Sequence, residues 1–512
     1  MGHAGWLHKN ITIILNDNKM SICPRVGGIS SYLDRLRMAK SYLGFKHRVR
    51  VVIRNLPFVN KFAERFLGGF KSAIKAAFLG GMLFEELGFR YIGPIDGHDI
   101  GKLQNYLRLV RMYEEPVLLH VFTEKGRGFD AAVDDPTAFH APSPGLVGRH
   151  TGKNRFDLYS SDHGPRDPEP GDSGVRSLKE SHQSAIRSTR PVPFTQHVRD
   201  AVLEVMRDNE RVCAVSAAMV QGTMMEPVRE EFPSRFFDVG ICESHAILFA
   251  SGLAKAGLRP MVAIYSTFMQ RGYDQIFQEV SLQNLPVTLL LDRAGLAATD
   301  GPTHHGVFDI AYLRPFPNLV VLTPGDAADV EPMIRFAATH AGPVAIRYPK
   351  ADATLFSREV APVEPGKSER LRDGEDGFIV VCGGHVDIAL ESAKELGKNL
   401  DGRGRVDLGV INARFIKPLD KEGILGPLRN GKFLLIVEEG VLAGGFGSAV
   451  LEAANEEGLD TRLIRRLGIG DRYIPHAERS EQLEELGFTE ANFSRLVREL
   501  QCSAKKWNER QG

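Results

Sequence analysis

Strand-like and helix-like patterns alternate along most of the chain. Ile11-Thr12-Ile13-Ile14-Leu15 is a β-branched apolar run suited to a buried parallel strand. The pattern then predicts a helix over Met82–Leu87, a strand over Phe89–Ile92, a turn over Gly93–Asp99, a helix over Ile100–Tyr113 and a buried strand over Val117–Phe122. Alternation resumes with a helix over Phe194–Arg207. Strands follow at Val212–Val215, Phe236–Val239, Met261–Ile264, Val287–Leu291, Leu319–Leu322 and Pro343–Arg347. After a Pro/Glu/Gly-rich connector around 360–377, strands recur at Phe378–Cys382, Val406–Ile411, Phe433–Val437 and Leu463–Arg466. The fold class is therefore α/β with mostly parallel sheets. Its domains are 1–154, 193–357 and 375–512, with a polar Ser/Asp/Gly/Pro-rich linker over 155–192.

The start is unusual. Met1-Gly2-His3-Ala4-Gly5 reads as the end of a helix with Gly5 as its cap. A buried central strand at residue 11 normally follows a strand–helix unit, so the first domain is expected to be incomplete.

Lys+Arg and Asp+Glu are equal at 64 each, so no global charge points to nucleic acid or a membrane surface. Residues 35–75 are locally basic but carry no aromatic platform, which favours a solvated helix or flap. The cysteines Cys23, Cys213, Cys242, Cys382 and Cys502 are scattered and lack metal-ligand spacing, which suggests a reducing compartment. Ile11–Leu15 is too short for a secretory signal, and no apolar run reaches membrane-spanning length.

Polar residues gather where predicted strands end, as ligand sites do in open α/β sheets. Asn16-Asp17-Asn18-Lys19-Met20-Ser21-Ile22 offers oxygen ligands suited to Mg²⁺, or an ordinary turn. Lys125 and Arg127, flanked by Gly126 and Gly128, could meet a phosphate or merely turn the chain; His140 follows in a loop. Arg271, Arg293 and Arg347 follow three separate strands. Together they suggest an anion site, because guanidinium groups bind phosphate bidentately. Glu243 opens an apolar, small-residue run, Ala246–Ala254, that reads as a buried helix. It either satisfies free N–H groups at the helix start or is held for chemistry.

Several segments resemble the 1-deoxy-D-xylulose-5-phosphate synthase family, a group of transketolase-like enzymes. They are Leu15–Ile22, Glu86–Asp99, Lys125-Gly126-Arg127-Gly128, Tyr265–Arg271, Asp292-Arg293-Ala294-Gly295 and Asp300-Gly301-Pro302-Thr303-His304. They occur in order and run nearly end to end. The resemblance implies three transketolase-like domains, the first incomplete. It also implies thiamine diphosphate with Mg²⁺, and condensation of pyruvate with D-glyceraldehyde 3-phosphate to 1-deoxy-D-xylulose 5-phosphate and CO₂. That product feeds isoprenoid, thiamine and pyridoxal synthesis. Carried over by position, Glu243 would bond the cofactor pyrimidine and Phe268 would pack on it. Asn18 and the Met20 carbonyl would ligate Mg²⁺, with Ile22, Lys125 and Phe129 also against the cofactor. Tyr265, Arg293 and Arg347 would hold the sugar phosphate. His304, Asp300, Arg271 and His140 would line the pocket and handle protons. A homodimer in the cytoplasm is implied, or a plastid location had a transit peptide been lost.

The chain departs from the family in places. Family members carry Gly-Asp-Gly-Ala one helix upstream of Leu-Asn-Asp-Asn, and its Asp is the strongest Mg²⁺ ligand. These 512 residues contain no such segment. Phe129 stands where Tyr is usual and Ser244 where Gln is usual. The chain alone is therefore expected to bind cofactor poorly and lack synthase activity. Alternatives are an inactive fragment or partner subunit of a split enzyme, and another transketolase-class enzyme.

Overall fold

The structure, a computed structural model, describes residues 9–20, 32, 82–140, 192–356, 358–398 and 404–511. The expected helix end at Met1–Gly5, the basic segment 35–75, nearly all of the linker, and Ile22 lie outside the described residues. The chain divides into two compact units, Met1–Ser181 and His182–Gly512.

The first unit carries a parallel sheet in the order β1-β3-β2. Its strands are β1 (Thr12–Asp17), β2 (Arg90–Asp96) and β3 (Val117–Phe122), with helices α1 (Met82–Glu86) and α2 (Ile100–Val110). Strand β3 is central and almost wholly buried, as a continuous Val-Leu-Leu-His-Val run requires. Strand β1 differs from expectation: among the described residues it is an edge strand, and Ile14 is 54% exposed. The turn expected from Gly93 begins later. Strand β2 continues to Asp96 through a register shift between Ile92 and Ile95. Gly93 makes this possible, since its φ is +131° and a Cβ there would meet the His120 carbonyl at 2.4 Å. Helix α2 stops at Val110, short of the expected Tyr113. It starts on Asp99, whose side chain caps Lys102 N at 2.9 Å.

The second unit holds two larger sheets. Strands β4 (Val192–Pro193) and β11 (Asp352–Ala353) form a small antiparallel pair. The first large sheet contains β5 (Val212–Ser216), β6 (Phe236–Asp238), β7 (Arg259–Tyr265), β8 (Thr288–Asp292), β9 (Val320–Leu322), β10 (Val344–Arg347) and β15 (Phe415–Lys417). Its order is β15-β9-β10-β8-β7-β5-β6, parallel except for β15. The second large sheet contains β12 (Glu369–Arg372), β13 (Gly377–Cys382), β14 (Leu408–Asn412), β16 (Phe433–Val441) and β17 (Ile464–Ile469). Its order is β12-β14-β13-β16-β17, with only β12 antiparallel. The connector around 360–377 thus contains a strand. The two sheets share one apolar core, and β15 crosses from the later sequence to the edge of the earlier sheet.

Helix α3 (Phe194–Asp208) buries Val198, Ala201, Val202, Val205 and Met206 at helical spacing. Helix α4 (Glu243–Lys255) buries Glu243, Ala246, Ile247, Ala250 and Ala254. It is not buried all round, however: Leu248 is 48% exposed and Ile241, just before it, 49%. Its outer face carries His245, Leu248, Gly252 and Lys255.

Candidate functional site

The carboxyl ends of β6, β7, β8 and β10 lie along one edge of their sheet, since those strands run parallel. Strand β6 leads into Glu243, the first residue of α4. Glu243 is 2% exposed, and its carboxylate receives the Arg271 guanidinium at 3.0 and 3.2 Å. The Arg271 side chain itself is largely exposed. The N-cap residue Cys242 makes no side-chain cap bond, and among the described residues the bonds to the Glu243 carboxylate come from Arg271 rather than from helix N–H groups. Ser244 Oγ donates to the Arg271 carbonyl at 2.5 Å, tying the helix start to the segment after β7.

Aromatic rings continue the cluster. The Arg271 guanidinium sits 5.5 Å from the Phe268 ring centre. Phe268 stacks on Tyr265 at 5.8 Å and meets His304 edge-on at 5.2 Å. Arg293 lies 4.0 Å over the Tyr265 ring, and its Nη1 donates to the Gly222 carbonyl at 2.5 Å. Gly222 is required there: a Cβ would fall 1.7 Å from Tyr265 Oη. Burial raises the Tyr265 phenol pKa, against the opposing Arg293 charge. Burial also lowers the His304 imidazole pKa, outweighing Asp300 nearby, so its neutral form is favoured.

Two cations stand at the end of β10. Arg347 is 3% exposed; its Nε donates to Asp309 at 3.0 Å and its Nη2 to the Glu439 carbonyl at 3.0 Å. These two bonds anchor it beside Asp309 and Glu439. Lys350, three residues on, donates to Asp300 at 2.7 Å and is partly exposed. The structure thus gathers Glu243, Arg271, Phe268, Tyr265, Arg293, His304, Asp300 and Lys350.

In the first unit, Asn18 Oδ1 accepts from Met20 N at 3.0 Å. A carbonyl oxygen keeps a second lone pair, so Asn18 can still ligate a cation. No group of three or more His, Cys, Asp or Glu fit for a metal occurs among the described residues. Asn18 and Met20 supply only part of the oxygen set an octahedral Mg²⁺ needs. Beneath this turn, His120 Nε2 meets Asp17 Oδ2 at 3.1 Å and His120 Nδ1 meets Tyr91 Oη at 2.7 Å, with Asp17 and His120 fully buried. Lys125 Nζ lies 3.5 Å from His140 Nδ1, while Phe129 packs edge-on against Phe139 at 5.4 Å.

Residues 1–123 match the family described as 1-deoxy-D-xylulose-5-phosphate synthase. Residues 190–354 match the transketolase pyrimidine-binding domain, and residues 366–492 the transketolase C-terminal domain. The 1-deoxy-D-xylulose-5-phosphate synthase of Rhodopirellula baltica is 48% identical over 98% of this chain and 73% of its own. The chain belongs to the 1-deoxy-D-xylulose-5-phosphate synthase family. The enzyme of that name from Heliobacterium modesticaldum is 40% identical over 98% of the chain and 72% of its own. Among solved structures, a split-gene transketolase described as an inactive β4 tetramer aligns with a TM-score of 0.55 at 27% identity. It covers 61% of this chain and 99% of its own. Campylobacter jejuni transketolase, at 15% identity, has a TM-score of 0.52 over 97% of this chain and shares the fold.

Within this family framework, sequence patterns missed Gly222 and Lys350. Gly222 lies in an unremarkable Val220-Gln221-Gly222-Thr223 stretch. Lys350 follows Arg347-Tyr348-Pro349, and the only available hint was that Pro349 stops the strand and turns the next side chain toward the rim.

Proposed function

We propose that this protein condenses pyruvate with D-glyceraldehyde 3-phosphate, forming 1-deoxy-D-xylulose 5-phosphate and releasing CO₂. Glu243 carries the proposal: a buried carboxylate, bonded to an exposed arginine rather than to helix N–H groups, beside an aromatic and cationic cluster. A carboxylate so placed is poised to hold a proton on a cofactor nitrogen.

Family membership implies thiamine diphosphate. When bound, it supplies the electron sink for decarboxylating a 2-oxo acid. Glu243 would bond its pyrimidine ring and Phe268 would pack on that ring. Asn18 and Met20 would hold Mg²⁺, while Ile22, Lys125 and Phe129 would contact the cofactor. Arg293 and Lys350 would bind the aldehyde's phosphate, with Tyr265 as a wall. Arg347 would support this rim through Asp309 rather than by contact. Asp300 would orient His304, which in its neutral form can accept a proton, and Arg271 would complete this rim; His140, in the first unit, is carried over from the family as a further proton-handling residue.

A homodimer in the cytoplasm completes the proposal. Exposed Ile241 and Leu248, and exposed Tyr273, Phe277 and Leu282 on the segment packed against α4, give a second copy an apolar surface. Sedimentation should show a dimer, and Leu248→Asp should yield monomer.

A second reading comes from the split-gene transketolase, which matches most of this chain. The protein would then work as the partner of a separate polypeptide that supplies the Gly-Asp-Gly-Ala element. Turnover of pyruvate and D-glyceraldehyde 3-phosphate separates the two. It is measured for the 512-residue chain and for the chain extended by any in-frame codons upstream. Product from either supports the synthase, with none expected from the shorter chain. No product from either, with turnover restored by a second polypeptide, favours the split enzyme.

A further inference from the structure

We propose that Glu439 and Arg479, outside the pyrimidine-binding region, are positioning residues for the loop that presents Asp300 and His304, and thereby set affinity for the phosphorylated aldehyde. This rests on the assignment of that loop to the aldehyde.

The loop runs from Arg293 to Gly306. It closes on itself through Gly295 N to Gly306 O and Gly306 N to Gly295 O, both 2.8 Å. Arg293, Gly295, Ala298 and Gly301 have φ values of 58°, 81°, 53° and 77°. Two of these carry side chains that disfavour the left-handed region, so local preference does not hold this shape.

The hold comes from outside the loop. Glu439 Oε1 accepts from Leu296 N at 2.6 Å, and Arg479 Nη1 donates to Leu296 O at 3.0 Å. Both edges of one loop residue are therefore gripped by a single ion pair. That pair is itself bidentate, with both contacts at 2.6 Å. His385 Nε2 stands 2.7 Å from Glu439 Oε2 and stacks on Phe488, fixing the carboxylate from its other side. Gln482 Nε2 reaches the Ala298 carbonyl at 3.3 Å, and Val441 N the Val307 carbonyl at 3.0 Å. Gly301 packs so closely that a Cβ would lie 2.1 Å from His476 Nε2. Burial favours protonating Glu439, yet Arg479 and His385 overturn this and hold it ionised well below the usual carboxylate range. The grip thus persists at any physiological pH. It lies two residues before Ala298 and four before Asp300, where a change in backbone direction would move both site side chains.

The test compares wild type with Arg479→Ala, Arg479→Lys and Glu439→Gln. In amide hydrogen exchange, Arg479→Ala should raise exchange of residues 294–306 at least tenfold. Sheet amides at 379–381 and 435–437 should stay within twofold, and Arg479→Lys should recover part of the protection. Unchanged loop exchange, or an equal rise in loop and sheets, overturns the proposal. In kinetics, KM for D-glyceraldehyde 3-phosphate should rise at least tenfold while KM for pyruvate stays within twofold. Equal rises in both overturn the effect on affinity. Absence of turnover from both the 512-residue chain and its upstream-extended form would instead overturn the functional assignment, and the exchange data would still decide whether the clamp exists.

Discussion

Two clusters in the second unit use the same residue types and differ in how deeply the partners of their carboxylates are buried. At the seam between the two large sheets, Asp329 accepts from Gly325 N, Asn412 Nδ2, Arg358 and Arg414, all within 3.1 Å. Arg414 is 1% exposed and also meets Glu369 at 3.0 Å. At the rim, Glu243 is as deeply buried, but its ion-pair partner Arg271 stands largely in solvent. Burial alone does not distinguish structure from function. A buried carboxylate held by buried partners fixes geometry, whereas a buried group held by an exposed and movable partner can exchange that partner for a ligand.

The largest effect should follow removal of Glu243. Glu243→Ala is expected to lower turnover by about 10³-fold, the scale of a lost acid–base group. It should change stability by no more than about 1 kcal/mol, because Arg271 is left free to hydrate. Steady-state kinetics and denaturant unfolding of the same preparation check both. Retained turnover, or a large loss of stability, would place Glu243 with the seam.

Asp329→Ala should show the reverse. Stripping the seam of this carboxylate leaves Arg414 and Arg358 without their shared partner, at about 3–5 kcal/mol. Turnover per folded molecule should stay near wild type at low temperature. Calorimetry beside activity separates the two effects.

The next effect is smaller and distinguishes two neighbouring cations. Lys350→Ala should raise KM for D-glyceraldehyde 3-phosphate about tenfold, in line with ~1.5 kcal/mol for a charge-assisted hydrogen bond. Arg347→Ala should chiefly destabilise, since it takes the ion-pair partner from the buried Asp309, which keeps only Ser266 Oγ and the Ile310 N–H. A KM effect from Arg347 with no loss of stability would reverse their assignments.

This pair also shows how far the sequence could be read. Strands such as Thr288–Asp292 were legible because parallel strands covered on both faces need unbroken apolar runs. The rim residues were legible because strand ends carry ligands. The choice of Lys350 over Arg347 was not, because it depends on which side chain points inward at the last strand residue before a Pro turn. The seam was equally hidden: Arg414, just before β15, meets Asp329 across 85 positions, and no local pattern records so distant a contact. The exposed face of α4 was misjudged because an apolar helix looks the same whether a core or another surface covers it.

The smallest effect is on pH dependence, and it separates the two clusters by where each titrates. Burial favours protonating Asp329, but Arg414, the Gly325 N–H and Asn412 outweigh it and hold the group below its ordinary value. Its folded pKa is lower than its unfolded one, so its contribution is intact above about pH 4 and is lost as pH falls further. His304 and His305 are also lowered, by burial. For a histidine whose folded pKa is depressed, the unfolded chain binds more protons below about 6.5, so stability is lost as pH falls from that point. The loop should therefore weaken as pH falls below about 6.5, while the seam holds until below about 4. Unfolding midpoints should fall slightly over the upper window, by less than ~1 kcal/mol for a half-buried imidazole. His304→Asn should flatten part of that limb and leave the lower one unchanged. An upper limb that survives both His304→Asn and His305→Asn would assign it to the other burial-lowered histidines, His197 and His340, and not to the rim.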